Sequence, residues 1–256
     1  MKIDIKSPAE IDRMREACRM SAEVRDLCAA AVAPGVSTAE IDQIVADYCD
    51  KHKVKASFYR YEGFPGRICV SINDEVIHGI PRPHRIIMPG DLVKTDVGIF
   101  KNGFNGDTSR TVMVGVVDPE TIRLVETTKR CLAAGIAACG PGVHLGDVGH
   151  AIEQVALEAG FGVVRGWIGH GVGRTVHEDP QVPNYGVPGT KMVLKPGMTI
   201  AIEPMITLTK AGEQTDVLAD GWTVVTRDRC VSAHFEHTVA ITDDGCEILT
   251  LPADYP

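Results

Sequence analysis

The sequence predicts an α/β (α+β) fold of two similar halves, in which helices cover a central, mostly antiparallel sheet. Two observations carry this prediction. The order helix, helix, strands occurs twice along the 256 residues, and Pro-Gly turns recur at one constant offset. The composition, with 44% apolar and 23% charged residues, is typical of a globular protein and excludes a disordered or coiled-coil chain.

The first half opens with two helices. Ser7 is a suitable N-cap, Pro8 suits the first helical position, and Glu10 completes a capping box. A Pro-Gly pair ends this helix, and a second helix with one apolar face begins near Thr38. The stretches that follow with the pattern of strands are 68–72, 92–100 and 108–116.

The second half repeats this order. A third helix is expected from about residue 119 to 139. The Pro-Gly-Val turn after it, at 141–143, repeats the turn at 34–36 with an offset of 107 residues. The helix after each turn carries apolar residues at matching positions. The repeat therefore predicts a fourth helix that corresponds to the second.

A second pair of turns keeps the same register. Pro196-Gly197 repeats Pro89-Gly90 at the offset of 107, and a carboxylate stands seven residues after each proline, Asp96 and Glu203. An insertion or deletion between these points would break the agreement, so we expect two halves related by a pseudo-twofold axis. Coincidental turns in an ordinary α/β chain are the alternative. The halves are about 1–116 and 117–256, within a single domain over 1–256.

The net charge of the chain limits its partners. A formal charge of −8 argues against a nucleic-acid-binding protein or a protein of anionic membranes. The eight cysteines include no Cys-x-x-Cys pair, as expected of free thiols in a reducing compartment. The first residues are charged throughout, and no apolar run approaches the ~18 residues of a membrane span. We therefore expect a soluble, cytoplasmic protein.

Two aspartates lie on strands that form a predicted hairpin. If Asn102-Gly103 makes the turn, the two aspartates are diagonal neighbours and Asp96 faces Ser109. If the turn lies one residue earlier, Asp96 and Asp107 face each other directly. Both registers put them on the same face of the sheet. Because carboxylates this close repel each other unless a cation lies between them, the hairpin favours a cation site over a pair of solvated charges.

Further polar groups lie in similar settings. His170 and His177 lie in a glycine-rich loop, Glu203 follows an apolar strand, and Glu236 lies in a predicted strand. Each alone is compatible with a structural histidine or a surface carboxylate. Together, four carboxylates and one histidine form a set of hard ligands that suits Mn²⁺, Fe²⁺, Co²⁺, Zn²⁺ or Mg²⁺. Four negative charges exceed what one divalent ion balances, which indicates a two-metal hydrolase.

Six segments of the chain carry distinctive motifs. They are SINDEVIHGIP (Ser71 to Pro81), DVGIFKNGFNGDTSRT (Asp96 to Thr111), GHGVGRTVHEDP (Gly169 to Pro180), IEPM (Ile202 to Met205), DGWTVVTRD (Asp220 to Asp228) and FEHTVAIT (Phe235 to Thr242). The candidate ligands follow in the order Asp, Asp, His, Glu, Glu, with gaps of 11, 63, 33 and 33 residues. These features resemble the type I methionine aminopeptidases of bacteria, a family of metalloaminopeptidases with the pita-bread fold. The resemblance covers essentially the whole chain.

The resemblance implies a role for each ligand. Asp107 and Glu236 would bridge two divalent ions, which could be Co, Mn, Fe, Zn or similar. His170 and Glu203 would complete the coordination of one ion. Asp96 would chelate the other ion, and the free amino terminus of the substrate would lie beside it.

The implied reaction is the removal of the initiator methionine from nascent proteins when the second residue is small. Glu203 would accept and shuttle the proton of the attacking water. His177 would hydrogen-bond the scissile carbonyl or the oxyanion, and His78 would contact the amide nitrogen of the second residue. The partners implied are the N-terminal peptides of nascent proteins.

The resemblance also implies a pocket for the methionine side chain. Its lining would be Phe58, Tyr61, Phe64, Cys69 and Trp222, aromatic and sulfur-containing groups that suit a thioether. For Phe58, a place in the plain core is the alternative. The chain has Phe58 where the family often has cysteine, Glu62 where it often has histidine, and Val176 where it often has phenylalanine. These departures concern the shape of the pocket and leave the ligand set intact.

Two other functions share the implied fold. A prolidase or aminopeptidase P would usually carry a large extra N-terminal domain, for which a first helix near Pro8 leaves no room. A metal-free binding protein of this fold would lack the ligands. A basic patch of Lys210, Arg227 and Arg229 suggests a transient ribosome contact, with simple solvation as the alternative. The family suggests a monomer.

Overall fold

The computed structural model describes residues 3–252. Within that range the long helices are α1 Pro8–Ala31, α2 Thr38–His52, α3 Pro119–Ala137 and α4 Leu145–Glu158, with short 3-10 helices at Tyr61–Gly63 and Lys210–Glu213. The strands are β1 Lys55–Ala56, β2 Cys69–Ile72, β3 Glu75–Ile77, β4 Leu92–Lys101, β5 Phe104–Met113, β6 Gly162–Val163, β7 Gly169–Gly171, β8 Glu178–Val182, β9 Thr199–Ile202, β10 Met205–Thr207, β11 Thr215–Val217, β12 Val224–Thr226, β13 Ser232–His234, β14 Glu236–Ile241 and β15 Cys246–Ile248.

A central antiparallel sheet organises the molecule. Its strand order is β1-β4-β5-β14-β9-β7-β8, with β2 added beside β4 and β15 beside β14. Two smaller sheets have the orders β13-β10-β6 and β11-β12-β3. Helix α1 packs on β4 and β5, while α3 packs on α4 and on β9 and β14. The predicted combination of a mostly antiparallel sheet and covering helices is confirmed.

The predicted start of the first helix is confirmed by its hydrogen bonds. The Glu10 carboxylate accepts from the backbone N–H and from the hydroxyl of Ser7, each at 2.8 Å. Pro8 occupies the first helical turn, where its missing N–H is not needed. The second helix begins at Thr38 as predicted, behind a second capping box in which Glu40 accepts from Ser37.

The repeat predicted from the Pro-Gly turns reappears as a repeat of backbone hydrogen bonds. Gly35 N–H donates to the Ile87 carbonyl and Gly142 N–H donates to the Leu194 carbonyl, each at 2.9 Å. Each glycine has a positive φ, 91° and 85°, which glycine adopts readily. The return bonds match as well, from Ile87 N–H to the Val36 carbonyl and from Leu194 N–H to the Val143 carbonyl. The isolated β-bridges also correspond, Ser37 with Ile86 and His144 with Val193. The carboxylates that cap the helices after the two turns are Glu40 and Asp147. These segments of the two halves therefore share one pattern of backbone hydrogen bonds.

The β4–β5 hairpin adopts the first of the two predicted registers. Lys101 pairs with Phe104, so Asn102-Gly103 forms the turn and Asp96 faces Ser109. Both turn residues have positive φ, as a type I′ turn requires. Strand β5 covers Phe104–Met113 instead of the predicted 108–116, because the ladder continues to the turn and ends before Val114.

The close packing of α1 on this hairpin depends on a glycine. A Cβ atom added at Gly106 would lie 2.5 Å from the Cα of Cys18 in α1. The helix backbone therefore approaches β5 more closely than a side chain would allow. This contact holds the strand that carries Asp107 against the helix layer.

Two large apolar clusters fill the halves. One lies between α1, α2 and the sheet and includes Val24, Ile41 and Val93, all fully buried. The other lies between α3, α4 and the sheet and includes Leu124, Ile152 and Ile202. Among residues 3–252, none of the helices has the length and apolar character needed to cross a bilayer.

Candidate functional site

A cavity of about 670 Å³ opens between the central sheet and the loops at its edge. It brings together residues from both halves of the chain. These residues come from the two hairpin strands β4 and β5, the segment after β9 and the start of β14, among others. The predicted site residues all contribute to its lining: Phe58, Tyr61, Phe64, Cys69, His78, Asp96, Asp107, His170, His177, Glu203, Trp222 and Glu236.

Four of the predicted ligands form a tight polar cluster. One donor atom each of Asp107, His170 and Glu236 lies within 4.8 Å of the others. His170 Nε2 is 3.3 Å from Glu203 Oε1 and 3.8 Å from Asp107 Oδ2. Asp96 lines the same cavity, beside Asp107 on the paired strand.

The sheet pairing explains why these residues meet. Asp96 and Glu236 both pair with Ser109, one from each side of β5. Asp107 lies two residues along β5 from Ser109, so its side chain points to the same face. Glu203 directly follows β9, the next strand beyond β14. The adjacent strands β4, β5 and β14 and the end of β9 therefore present carboxylates to one face of the central sheet.

These carboxylates lie in a low-polarity setting that disfavours their charges. Burial raises the pKa of Asp96 to about 7. Burial, and then the charge of Asp96, raises the pKa of Asp107 well above its ordinary value. Burial, and then the neighbouring carboxylates, likewise raises the pKa values of Glu203 and Glu236.

The cluster fits divalent cations. Within residues 3–252, Asp96 Oδ1, Asp107 Oδ1 and Glu236 Oε1 are buried without a hydrogen-bond partner. Buried charges are stable only when paired or bound to a metal ion, so the set needs cations to be ionised at neutral pH. Oxygen donors with one imidazole suit hard and borderline divalent ions.

His170 presents a free nitrogen to this cluster. Its Nδ1 lies 2.9 Å from the Gly171 carbonyl, which can only accept, so Nδ1 carries the proton and Nε2 keeps its lone pair. Burial lowers the pKa of His170 to about 3, so the ring is neutral. A Cβ atom at Gly169 would overlap the Ala201 carbonyl oxygen, and one at Gly171 would overlap the Asp179 carbonyl oxygen. The glycines therefore let β7 lie close to its neighbours.

Two further histidines face the cavity. The rings of His177 and His170 are 4.3 Å apart, centre to centre, and His177 Nδ1 is 3.1 Å from the Tyr61 hydroxyl. Burial lowers the pKa of His177, and the Glu62 carboxylate opposes that change. Burial lowers the pKa of His78 to about 4, and its backbone is left-handed, with a φ of 58°. Non-glycine residues in this conformation are concentrated at functional sites.

The predicted methionine pocket forms a separate apolar cluster beside the polar one. Phe58, Phe64, Cys69 and Val176 are buried together, and Trp222 packs against them. Phe64 and Trp222 meet edge to face, with ring centres 5.1 Å apart. The cluster is continuous with the cavity that holds the carboxylates.

Sequence reasoning missed two aromatic groups of this site. His234 is buried, its Nδ1 lies 3.0 Å from Ser109 Oγ, and its Nε2 lies 3.7 Å from Glu203 Oε2. Trp167 lines the cavity and meets His78 edge to face at 5.4 Å. The sequence offered only a weak signal for His234, its position two residues before Glu236, because the two residues lie on different strands, β13 and β14.

The loop that carries His177 is anchored by an ion pair between a buried lysine and a partly buried glutamate. Lys6 is 4% exposed, and its Nζ donates to Glu178 Oε2 at 2.7 Å. Glu178 Oε1 accepts from Thr175 N–H at 3.1 Å, and the Thr175 hydroxyl donates to the His177 carbonyl at 2.9 Å. The N-terminal segment therefore holds the turn from which His177 projects.

Replacing Lys6 by Met is expected to lower the free energy of unfolding by about 3 kcal/mol, because the Glu178 charge would be left buried without its partner. Urea denaturation of the metal-free protein measures this. The matched control is the double variant Lys6→Met with Glu178→Gln, which removes both charges. Its loss in the free energy of unfolding is expected to be smaller than that of Lys6→Met alone. Equal losses in the single and double variants would contradict the assignment of the ion pair.

Comparisons with known proteins agree with this geometry. The model of metallopeptidase family M24 matches residues 12–243. The methionine aminopeptidase of Escherichia coli K12 is 45% identical over 256 residues, which covers 99% of this chain and 96% of that protein. A crystal structure of methionine aminopeptidase from Thermotoga maritima matches with a TM-score of 0.94 and 42% identity, over 97% of this chain and 99% of that one.

The chain belongs to metallopeptidase family M24. It is a metalloaminopeptidase with the pita-bread fold of these relatives. A prolidase from Pyrococcus furiosus has the same fold, with a TM-score of 0.79 at 24% identity, over 96% of this chain and 65% of that one. That likeness concerns the fold alone.

Proposed function

We propose that the chain is a methionine aminopeptidase that removes the N-terminal methionine from polypeptides whose second residue is small. The observation that carries this proposal is the continuity of two features in one cavity. A cluster of carboxylates with one imidazole lies directly beside a pocket of aromatic, sulfur and aliphatic side chains. The first suits hydrolysis, and the second suits a methionine side chain.

The ligand set proposed for two divalent ions is Asp96, Asp107, His170, Glu203 and Glu236. The buried, unpartnered oxygens and the neutral His170 support this assignment. When bound, the ions supply Lewis-acid polarisation of the scissile carbonyl and activation of a water molecule near neutral pH. Co, Mn, Fe and Zn all remain candidates, because this donor set accepts several ions.

The proton transfers are assigned to Glu203. The residue is 8% exposed, and its carboxylate lines the cavity with Oε1 3.3 Å from His170 Nε2, at the centre of the proposed ligand set. It would accept the proton that the attacking water releases and deliver it to the amine that leaves. His234, 3.7 Å from Glu203 Oε2, would help to orient the carboxylate.

The two cavity histidines would position the peptide bond. His177 Nδ1 is 3.1 Å from the Tyr61 hydroxyl, and we assign the hydroxyl as the donor. In this tautomer Nε2 carries the ring proton and can donate to the scissile carbonyl or the oxyanion. His78 is neutral, with a pKa of about 4, and can accept from the amide N–H of the second residue. These roles explain why both histidines are held at one wall of the cavity.

Cleavage of three peptides tests the proposed function. Met-Ala-Ser should be hydrolysed between Met and Ala, Met-Leu-Ser far more slowly, and Ala-Pro-Ser not at all. Rapid cleavage of Ala-Pro-Ser with no cleavage of Met-Ala-Ser would instead support a prolidase or aminopeptidase P. No hydrolysis of any peptide by metal-loaded protein would support a binding protein of this fold.

The remaining assignments stay predictions. We propose one catalytic domain over 1–256, a monomer, the cytoplasm as its location, and N-terminal peptides of nascent proteins as its partners. A ribosome contact through Lys210, Arg227 and Arg229 has weaker support, because Arg227 pairs with Asp216 at 3.1 Å and Arg229 pairs with Asp74 at 2.8 Å. These pairs reduce the positive charge of the patch.

A further inference from the structure

The walls of the cavity carry an unusual distribution of charge. Among the residues that the structure describes, its lining includes six carboxylates and neither lysine nor arginine. Four of the six, at positions 96, 107, 203 and 236, are the proposed metal ligands, and two divalent ions would balance their charges. A fifth, Glu178, is paired with Lys6 at 2.7 Å. The carboxylate that remains is Glu62.

Glu62 lies at the exposed edge of the cavity. Over the range 3–252, no basic group comes within 4.0 Å of its carboxylate. The nearby arginines are engaged elsewhere, since Arg60 lies over the Tyr59 ring and Arg67 Nη1 is 2.8 Å from Asp42. The Glu62 carboxylate therefore faces the solvent at the mouth of the site without a salt-bridge partner among the described residues.

The backbone holds Glu62 at this edge in a conformation that costs energy. Its φ of 48° and ψ of 22° are left-handed, which is uncommon for a non-glycine residue. The loop is closed by Arg60 N–H donating to the Phe64 carbonyl at 3.0 Å and by Phe64 N–H donating to the Tyr61 carbonyl at 2.9 Å. Tyr61 in turn bonds to His177, so Glu62 is tied to the wall that would hold the scissile bond.

We propose that Glu62 makes the enzyme favour polypeptides with Lys or Arg shortly after the scissile bond, at the third or fourth residue, over those with Asp or Glu. This inference rests on the proposed function. Every substrate has the same N-terminal ammonium and, by the proposed function, a small second residue. Differences in substrate charge near the cavity therefore begin at the third residue.

The expected effect is modest, because Glu62 is exposed and its field is screened by water and salt. We expect kcat/KM to be about three- to tenfold higher for Lys than for Glu at low ionic strength, and the ratio to approach one at high salt. Glu62→Gln should bring the ratio close to one at low salt. Glu62→Lys should invert it.

Amidated tetrapeptides provide the test, since amidation removes the terminal carboxylate. One series is Met-Ala-Xaa-Ser and the other is Met-Ala-Ser-Xaa, with Xaa as Lys, Ser or Glu. Each is assayed with wild type, Glu62→Gln and Glu62→Lys at about 20 mM and about 500 mM salt. Asp50→Asn is the matched control, because it removes one exposed negative charge from α2, outside the cavity.

A Lys preference that Glu62→Gln abolishes, Glu62→Lys inverts and Asp50→Asn retains would support the inference. Equal kcat/KM values for Lys and Glu in both series, with normal cleavage of the Ser peptides, would overturn it and leave the proposed function standing. A preference that persists in Glu62→Gln would also overturn it. Failure of the wild type to cleave any of the peptides would contradict the proposed function, and this inference with it.

Discussion

Glu203→Gln is expected to lower kcat for Met-Ala-Ser by about 10²- to 10⁴-fold, the usual contribution of a general acid–base. Glutamine keeps the size of the side chain and one carbonyl oxygen, but it cannot take up and release the proton of the attacking water. The residue is 8% exposed and Oε1 lies 3.3 Å from His170 Nε2, so the carboxylate faces the proposed ligand set. The measurement is steady-state kinetics together with bound metal by elemental analysis.

The amount of metal bound by the variant distinguishes two roles of Glu203, proton transfer and metal ligation. If the variant retains metal and loses turnover, the proton-transfer role is supported. If it loses both, Glu203 acts as a ligand, and kinetics at saturating metal separate the two roles. Glu126→Gln on the exposed face of α3 is the matched control and should keep full activity. Full turnover by Glu203→Gln with normal metal loading would rule out the role assigned here.

Removing the metal ions is expected to make the stability of the protein depend steeply on pH. In the metal-free protein the folded pKa of Asp96 is about 7, above its ordinary value of 3.8, so protonation stabilises the folded state. That stabilisation is complete below about pH 4 and is lost as the pH rises through 7. For Asp96 alone the loss is roughly 4 kcal/mol, or about 10 °C in Tm, and the other three carboxylates act in the same direction.

Thermal unfolding of chelated and metal-loaded protein at pH 5 and pH 8 measures this effect. The Tm difference between the two forms should widen toward pH 8, because cations replace protons in balancing the carboxylates. Asp107→Asn is the informative variant. Without metal at pH 8 it should be more stable than wild type, since one repelling charge is gone. A metal-free wild type that is as stable at pH 8 as at pH 5 would contradict the buried-carboxylate account.

The central hairpin was predictable because its signals are local. Asn102-Gly103 is a strong turn signal, and strand parity has a period of two, so both two-residue turns considered at this point put Asp96 and Asp107 on one face. Choosing between the two registers required the observed pairing of Lys101 with Phe104. The repeat was predictable for a different reason. The offset of 107 residues is the same for two pairs of turns and for the apolar helix positions between them, which requires that insertions and deletions between them cancel.

Other parts of the site depend on contacts that leave no local pattern. Lys6 and Glu178 are 172 residues apart, and nothing near Lys6 in the sequence indicates a buried charge. The setting of Glu62 likewise depends on which basic groups the fold leaves near it. The place of His234 also depends on the fold, because it ends β13 while Glu236 begins β14 in another sheet, and its contact is with Glu203.

A metal titration of fully chelated protein tests the proposed two-metal hydrolysis most directly. Bound metal and the hydrolysis of Met-Ala-Ser are measured together as Mn²⁺ or Co²⁺ is added. The metal-free protein is expected to show no turnover, and turnover should recover as the ions bind and saturate at two ions per chain. Asp107→Asn should bind less metal and remain inactive over the same range. Full turnover by protein without bound metal would contradict the central claim, and so would saturating binding of metal without recovered hydrolysis.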